Sequence, residues 1–321
     1  MKKLETLTSI VTRIKMKTIV TTTINAPTEA LKKFANKSSW NMVIVGDKKT
    51  PHDQYDIFCA EHPHCTYLSP FEQEDKYKRI SDLIGWNNIQ RRNIGFIYAW
   101  ENGADVIATI DDDNIPYDNW GKDLLIGKTI ECDLYEPENN VFDPLSITKN
   151  NHLWHRGYPI ELVPQRKRVS YKGKTFRKVL IQADLWDGDP DIDAMSRLSM
   201  KPCVKFDDIT APYCSNKISP FNSQNTFLAR EVIPFYSVLP HVGRMDDIWG
   251  SYILQKFFPN SLVYNKATVY QDRNVQDLIT NLEKEILGYR KTLDICQDWE
   301  NNLPKEANLF FREYMRYFKA F

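Results

Sequence analysis

The sequence has no excess of either charge: 42 Lys and Arg residues balance 42 Asp and Glu, so the 321-residue chain has a formal net charge of zero. Nucleic acid, anionic lipid and acidic polymers therefore meet no global attractive field, no nucleic-acid partner is expected, and any charge chemistry must be local. Long hydrophobic runs are missing too, since no apolar stretch approaches the roughly 18 residues of a membrane span. Glu5, Arg13, Lys15 and Lys17 interrupt any apolar stretch in the first twenty residues. That segment does not read as a secretory signal, and a cytoplasmic location is expected. Six cysteines at irregular spacing are too few for a disulfide framework in a chain this long, and free thiols are expected. Neither internal repeats nor low-complexity linkers mark a domain cut.

What is there is an ordinary globular composition, 42% apolar and 26% charged. The length suits two domains, or one large α/β domain with an annex. Short β-branched runs alternate with helical segments in the first half, the pattern of a parallel sheet with crossover helices. Lys17 to Thr23 reads as a first strand, and a helix after Pro27 buries Leu31 and Phe34. Trp40 to Gly46 is a continuous apolar run, as a strand covered on both faces should be, and Asp47 falls at its carboxyl end. A helix over Asn88 to Asn102 is followed by an apolar strand, Asp105 to Ile110, which runs straight into Asp111, Asp112 and Asp113.

From about Asn114 to Asp193 the periodicity weakens, which suggests an insertion on the acceptor side of a site. Within it Arg166 to Lys178 holds seven basic residues and no acid, and Asp184, Asp187, Asp189, Asp191 and Asp193 follow. The expectation is a solvated hairpin facing an acidic loop, with a lid or acceptor-binding edge as the sharper alternative. A later helix opens on Asp246 and Asp247, and Leu278, Leu282, Ile286, Tyr289 and Leu293 recur at helical spacing in a C-terminal annex.

Carboxylates at a strand end suit a hard divalent cation, which next to a phosphate neutralises charge developing on a leaving group. In an extended segment Asp111 and Asp113 point one way and Asp112 the other. An EF-hand loop counted from Asp111 requires glycine where Pro116 stands, and a phosphatase D-x-D-x-T nucleophile requires a hydroxyl where Ile115 stands. A helix-capping cluster rarely needs three consecutive acids, because like charges raise one another's pKa. Asp246 and Asp247 are either acids complementing a helix dipole or a general base for an acceptor hydroxyl, and nothing local decides.

WNMVIVGDKKTP (Trp40 to Pro51), RRNIGFIYAWENG (Arg91 to Gly103), ATIDDDNIP (Ala108 to Pro116), WHRGYP (Trp154 to Pro159) and GRMDDIWG (Gly243 to Gly250) occur in this order. The series resembles the STELLO-type glycosyltransferase-like family and, more distantly, the reversibly glycosylated polypeptides, which are UDP-arabinopyranose mutases. The resemblance implies a GT-A type, Rossmann-like fold: a mostly parallel sheet flanked by helices, with residues 1–270 as nucleotide-sugar domain, 114–200 as the insertion and 271–321 as helical annex. It implies a glycosyltransferase taking a sugar from a nucleotide-sugar donor, UDP-linked, to a carbohydrate or glycoconjugate hydroxyl. Oligomeric state stays open.

The same resemblance places the nucleotide at Thr22, Thr23, Asn25, Asp47, Arg91, Arg92, Asp111 and Asp112. It makes Asp111 and Asp113 ligands of Mn²⁺ or Mg²⁺, and Asp246 and Asp247 the acceptor-side catalytic acids. Arg156 matches the mutases' R-G-Y-P arginine, associated with self-glycosylation, or else pairs with an acid cluster. Where the mutases carry a histidine metal ligand, this chain has Tyr270-Gln271-Asp272, so Gln271 or Asp272 would substitute. The following Arg273-Asn274 is similar to the STELLO-type pattern. A pyranose/furanose mutase and a non-catalytic nucleotide-sugar-binding scaffold are the alternatives.

Cys59, His62, His64 and Cys65 offer zinc-type ligands, but their spacing is too tight for a usual structural site, and incidental surface side chains are expected. His152 and His155 flank Trp154 as structural residues or as hydrogen-bond partners of a sugar.

Overall fold

The structure is a computed structural model that describes residues 16–319, so most of the segment judged for a secretory signal lies outside the described residues. The first strand, β1 (Lys17–Thr23), occupies the expected run. Helix α1 (Glu29–Ala35) is capped by the Thr28 hydroxyl and buries Leu31 and Phe34, leaving Pro27 just ahead of the cap. Then follow β2 (Asn41–Gly46), α2 (His52–Glu61), β3 (Cys65–Leu68) and α3 (Pro70–Ile84), whose start carries a Ser69/Glu72 capping box. Helix α4 (Arg92–Glu101) leads into β4 (Val106–Ile110), a strand with every residue buried. Gly95 lets α4 sit hard on the sheet: a Cβ there would lie 2.6 Å from Val20 and 2.8 Å from Val45.

The middle of the chain supplies β5 (Asn114–Pro116), β6 (Thr129–Pro137), β7 (Val169–Lys178), β8 (Ile181–Gly188) and α5 (Ala194–Ser199). The remainder forms β9 (Tyr213–Cys214), β10 (Asn225–Ala229), α6 (Asp246–Phe257), β11 (Leu262–Gln271), α7 (Leu278–Gln297), α8 (Trp299–Asn302) and α9 (Lys305–Lys319). All strands join one mixed sheet in the order β3-β2-β1-β4-β10-β8-β11-β9-β6-β7, with β5 on β11. Flanked by helices, it has the α/β, Rossmann-like architecture of a GT-A fold.

The first four strands run parallel, and β10 enters antiparallel between β4 and β8. Because β11 is parallel to β8, the carboxyl ends of β1, β2, β4, β8 and β11 all open on one edge. In open α/β sheets that edge is where ligands bind, at the point where strand order reverses, here between β1 and β4.

Two expectations for the middle segment change. Ile181–Gly188, inside the stretch read as an insertion, is an interior strand with every residue buried. The acids in and after it are not a solvated loop: Asp184 and Asp187 belong to the strand, and they and the following Asp191 and Asp193 are buried. Periodicity was weak there because a strand covered on both faces leaves no polar alternation. The basic strand β7, in contrast, lies at the sheet's end and is largely exposed.

Candidate functional site

Thr23, at the end of β1, donates from its hydroxyl to Asp112 Oδ2 at 2.5 Å, and Asn25 Nδ2 donates to the same oxygen at 2.8 Å. Thr22, Thr23, Asn25, Asp47 and Asp112 line one cleft of about 230 Å³, to which the exposed side chains of Ile24 and Ile89 add apolar walls. The Thr22 hydroxyl is itself committed to the Val45 carbonyl at 2.8 Å. Asp47 accepts backbone N–H groups from Lys48, Asn87 and Asn88 at 2.6 to 3.0 Å, so this buried carboxylate fixes the loop that forms the cleft's far side.

Arg91 and Arg92 part company. Arg91 ends a short 3₁₀ turn, and its three guanidinium nitrogens donate to Gln73, Ser81 and Gly85 while its plane lies 3.6 Å from the Trp86 ring centre. It braces α3, and as a correction to the expected nucleotide contact, no nitrogen of it is left unengaged for a phosphate. Burial pushes it down to about 10. Arg92, one residue on, sends Nη2 to Asp111 Oδ1 at 2.5 Å and Nη1 to the Ser223 hydroxyl at 2.6 Å.

Ser223 connects the two acid clusters. Its hydroxyl donates to Asp247 Oδ2 at 3.1 Å, and its backbone N–H reaches the same oxygen at 2.9 Å. On the other side of Asp247 is Arg156, whose Nη2 lies 2.9 Å from Oδ1. Arg156 also grips Asp191 through Nε at 2.8 Å and Nη2 at 3.0 Å, and Nη1 donates to the Arg244 carbonyl. Gly157 makes this approach possible, with φ +70° and Ile248 Cγ2 2.5 Å from where a Cβ would stand. Of the two readings of Arg156, pairing with acids is therefore observed.

Electrostatics separate the two acids at the start of α6. Burial, the largest effect, works to raise Asp247, but the Arg156 guanidinium together with the hydrogen bonds from Ser223 and Asp246 holds the carboxyl below its ordinary range. Asp246 keeps only a distant Arg156 contact, Nη1 to Oδ1 at 3.9 Å, and accepts Gln90 Nε2 at 2.8 Å. Burial, reinforced by the Asp247 charge, pushes it up to about 7.

Antiparallel pairing of β5 with β11 sets Gln271 opposite Asn114, next to Asp113. Gln271 Nε2 donates to Asp113 Oδ1 at 2.8 Å, and Gln271 Oε1 is buried with no hydrogen-bond partner. Asp272 meets Asp113 through its backbone N–H, and its side chain is exposed. Burial first, and then the Asp111 charge, push Asp113 up to about 7, and burial raises Asp111 despite Arg92. Among the described residues no three His, Cys, Asp or Glu side chains converge as a ready-made metal cage.

The other sequence candidates bond elsewhere. His62 donates to the Phe58 carbonyl and His64 to that of Ala35, while Cys59 belongs to α2 and Cys65 to β3 rather than to a surface loop. His155 is buried, donates from Nδ1 to the Arg156 carbonyl and packs edge-on against Trp186. All six cysteines are free. Sequence reasoning missed Ser223 and Gln90, neither of which carries a local signal, and it read Asp191 only as one acid of a loop facing the basic hairpin, not as the partner of Arg156. Only the G-R-M-D-D helix start hinted at the network.

No protein-family model matches the chain. Over 228 residues it is 26% identical to "Probable glycosyltransferase STELLO1" and 27% identical to "Probable glycosyltransferase STELLO2", both of Arabidopsis thaliana. Each alignment covers 65% of this chain and 29% of the relative, so the chain spans less than a third of those proteins. The resemblance to the STELLO-type glycosyltransferase-like family stands on these relatives. Among the described residues no helix is long and apolar enough to cross a membrane.

Proposed function

We propose that this STELLO-like chain is a glycosyltransferase that takes a nucleoside diphosphate sugar, UDP-linked, and transfers the sugar to a hydroxyl of a carbohydrate or glycoconjugate acceptor. One observation carries the reading: two carboxylate clusters at the same sheet edge, joined through Arg92 and Ser223. The cleft beside Asp112 takes the nucleoside, with Thr23 and Asn25 hydrogen-bonding and Ile24 and Ile89 giving apolar contact.

Asp111, Asp113 and Gln271 Oε1 are hard oxygen donors, and two acids raised by burial with an orphaned amide oxygen beside them fit Mn²⁺ or Mg²⁺ completed by phosphate and water oxygens. When bound, the cation supplies charge stabilisation to the departing diphosphate. Arg92 orients Asp111. Asp246 takes the acceptor's proton as its oxygen bonds to the sugar's anomeric carbon and the bond to the diphosphate breaks. A base titrating near neutrality suits that task better than Asp247, which Arg156 and Ser223 hold ionised.

The mutase alternative needs Arg156 as a sugar acceptor, but its side chain is 6% exposed and every nitrogen is engaged. Calorimetric titration of UDP with and without Mn²⁺ tests the proposal. It expects binding that Mn²⁺ strengthens and that Asp111→Asn or Asp113→Asn weakens. Absence of nucleotide binding, or indifference to both substitutions, overturns it.

A further inference from the structure

Arg273 is the least satisfied buried charge at this edge. The loop carrying it is held against Asp113 by the Gln271 side chain, the Asp272 N–H at 3.0 Å from the Asp113 carbonyl, and Asn274. Its side chain is only 7% exposed. Nε lies 3.4 Å from Asp189 Oδ1 without hydrogen-bond geometry and is left without a partner. Among the described residues Nη2 reaches only the carbonyls of Asp189 and Pro190, at 3.4 and 3.5 Å, and Nη1 meets no acceptor.

Asp189 is not Arg273's alone. Arg197, from α5, directs Nη1 to the same carboxylate oxygen and Nη2 to the Pro190 carbonyl, and its own Nε is buried without a partner. Two guanidinium charges, each more than nine-tenths buried, thus share one carboxylate that is 32% exposed. The nearby Asp191 is consumed by Arg156 and Asn222. Asp113 and Asp191 are the other acids that feel the Arg273 charge. Once a cation takes up the charge of Asp113 and Arg156 that of Asp191, Arg273 and Arg197 are left with the single Asp189 carboxylate between them, one positive charge in excess. Such a charge is costly unless an anion comes with the cation.

We infer that Arg273 is an anion ligand of this site and closes on a pyrophosphoryl oxygen of the donor, with Arg197 and Asp189 fixing its position. The inference rests on the proposed reading of Asp113, and it adds a recognition element for the diphosphate on the loop after β11. The guanidinium suits the role because its planar fork donates two parallel hydrogen bonds to phosphate, which an ammonium does not. Arg273 touches the anion; Arg197 is a positioning residue.

The test is calorimetry on the full chain in Mg²⁺, with inorganic pyrophosphate and uridine as separate probes, on the wild type, Arg273→Gln and Arg273→Lys. Thermal unfolding checks that each variant is folded. Pyrophosphate affinity is expected to fall about ten- to a hundredfold in Arg273→Gln and less in Arg273→Lys, while uridine affinity is unchanged. Unchanged pyrophosphate affinity in Arg273→Gln, parallel loss of both probes, or no pyrophosphate binding by the wild type overturns the inference. If the wild type binds UDP and Arg273→Gln keeps that affinity, this inference fails and the nucleotide-sugar reading stands. If the wild type binds pyrophosphate through Arg273 but no UDP or uridine, the reverse holds.

Discussion

Ser223 closes on Asp247 twice, its backbone N–H and its hydroxyl both donating to Oδ2, at 2.9 and 3.1 Å. The same hydroxyl accepts Arg92 Nη1, so the acid at the start of α6 and the acids after β4 share one buried serine. Ser223→Ala removes the shared hydroxyl, but Asp247 keeps the backbone donor and Arg92 keeps the Ser223 carbonyl at 2.9 Å. A loss of about 1–2 kcal/mol in stability is expected, read as a lower urea midpoint with unchanged slope. A loss above that range would mean that the hydroxyl holds the network together alone.

Arg156 is a structural hub, and the prediction for it follows from what it leaves behind. Arg156→Ala strands Asp191 and Asp247 as buried, unpaired carboxylates, at a cost of about 3–5 kcal/mol. Arg156→Lys recovers only part of that, since an ammonium cannot span both oxygens of Asp191. Incubating the wild type with a UDP-sugar and weighing it by intact-mass spectrometry should show no added sugar. A glycosylated Arg156 would return the mutase reading.

Much of this site is legible in the sequence where strand ends and acids coincide. Lys17–Thr23, the three aspartates after β4 and the acid pair opening α6 all sit where the residues announce them. The links between them are not legible. Ser223 reaches Arg92 across 131 residues because antiparallel β10 pairs Asn225 with Ile110, and no local period encodes that register. Arg91 and Arg92 look equivalent in sequence. The change from 3₁₀ turn to α-helix between them sends one to Gln73 and the other to Asp111.

Asp246 makes the pH dependence specific. Its folded value of about 7 lies above the roughly 3.9 of an unfolded aspartate, so between those values the native state holds a proton that the unfolded chain has released. Its contribution to stability is present in full below about pH 4 and lost as pH rises through about 7. Activity moves the other way, because the base must be ionised: kcat/KM should climb through about pH 7 and level off above. Asp246→Asn should flatten that limb and lower kcat by about a hundredfold or more. A rate profile with no inflection near 7 would remove Asp246 from the base role.

Gly95 offers a stability prediction independent of the chemistry. A methyl group there meets Val20 and Val45 inside van der Waals contact, on strands that cannot retreat without disturbing the cleft they carry. Gly95→Ala should cost about 1–3 kcal/mol despite alanine's better helix propensity, because overpacking outweighs it. Thermal unfolding measures the sign: a raised midpoint would show that α4 has room to shift.

The three consecutive aspartates should separate into two functions. Asp112 turns to Thr23 and Asn25 at the nucleoside cleft, while Asp113 turns to Gln271 and Asn274. Asp112→Asn should therefore weaken uridine binding equally with and without Mn²⁺. Asp113→Asn should leave uridine binding intact and abolish the gain that Mn²⁺ gives to UDP. The second substitution has a stability signature as well. Above about pH 7 burial and the Asp111 charge oppose ionisation of Asp113, so in metal-free solution at pH 8 the neutral amide should unfold no lower than the wild type. Added Mn²⁺ should raise the wild-type midpoint and leave the Asp113→Asn midpoint where it was. Equal Mn²⁺ shifts in the two proteins would show that the cation, if it binds, binds elsewhere.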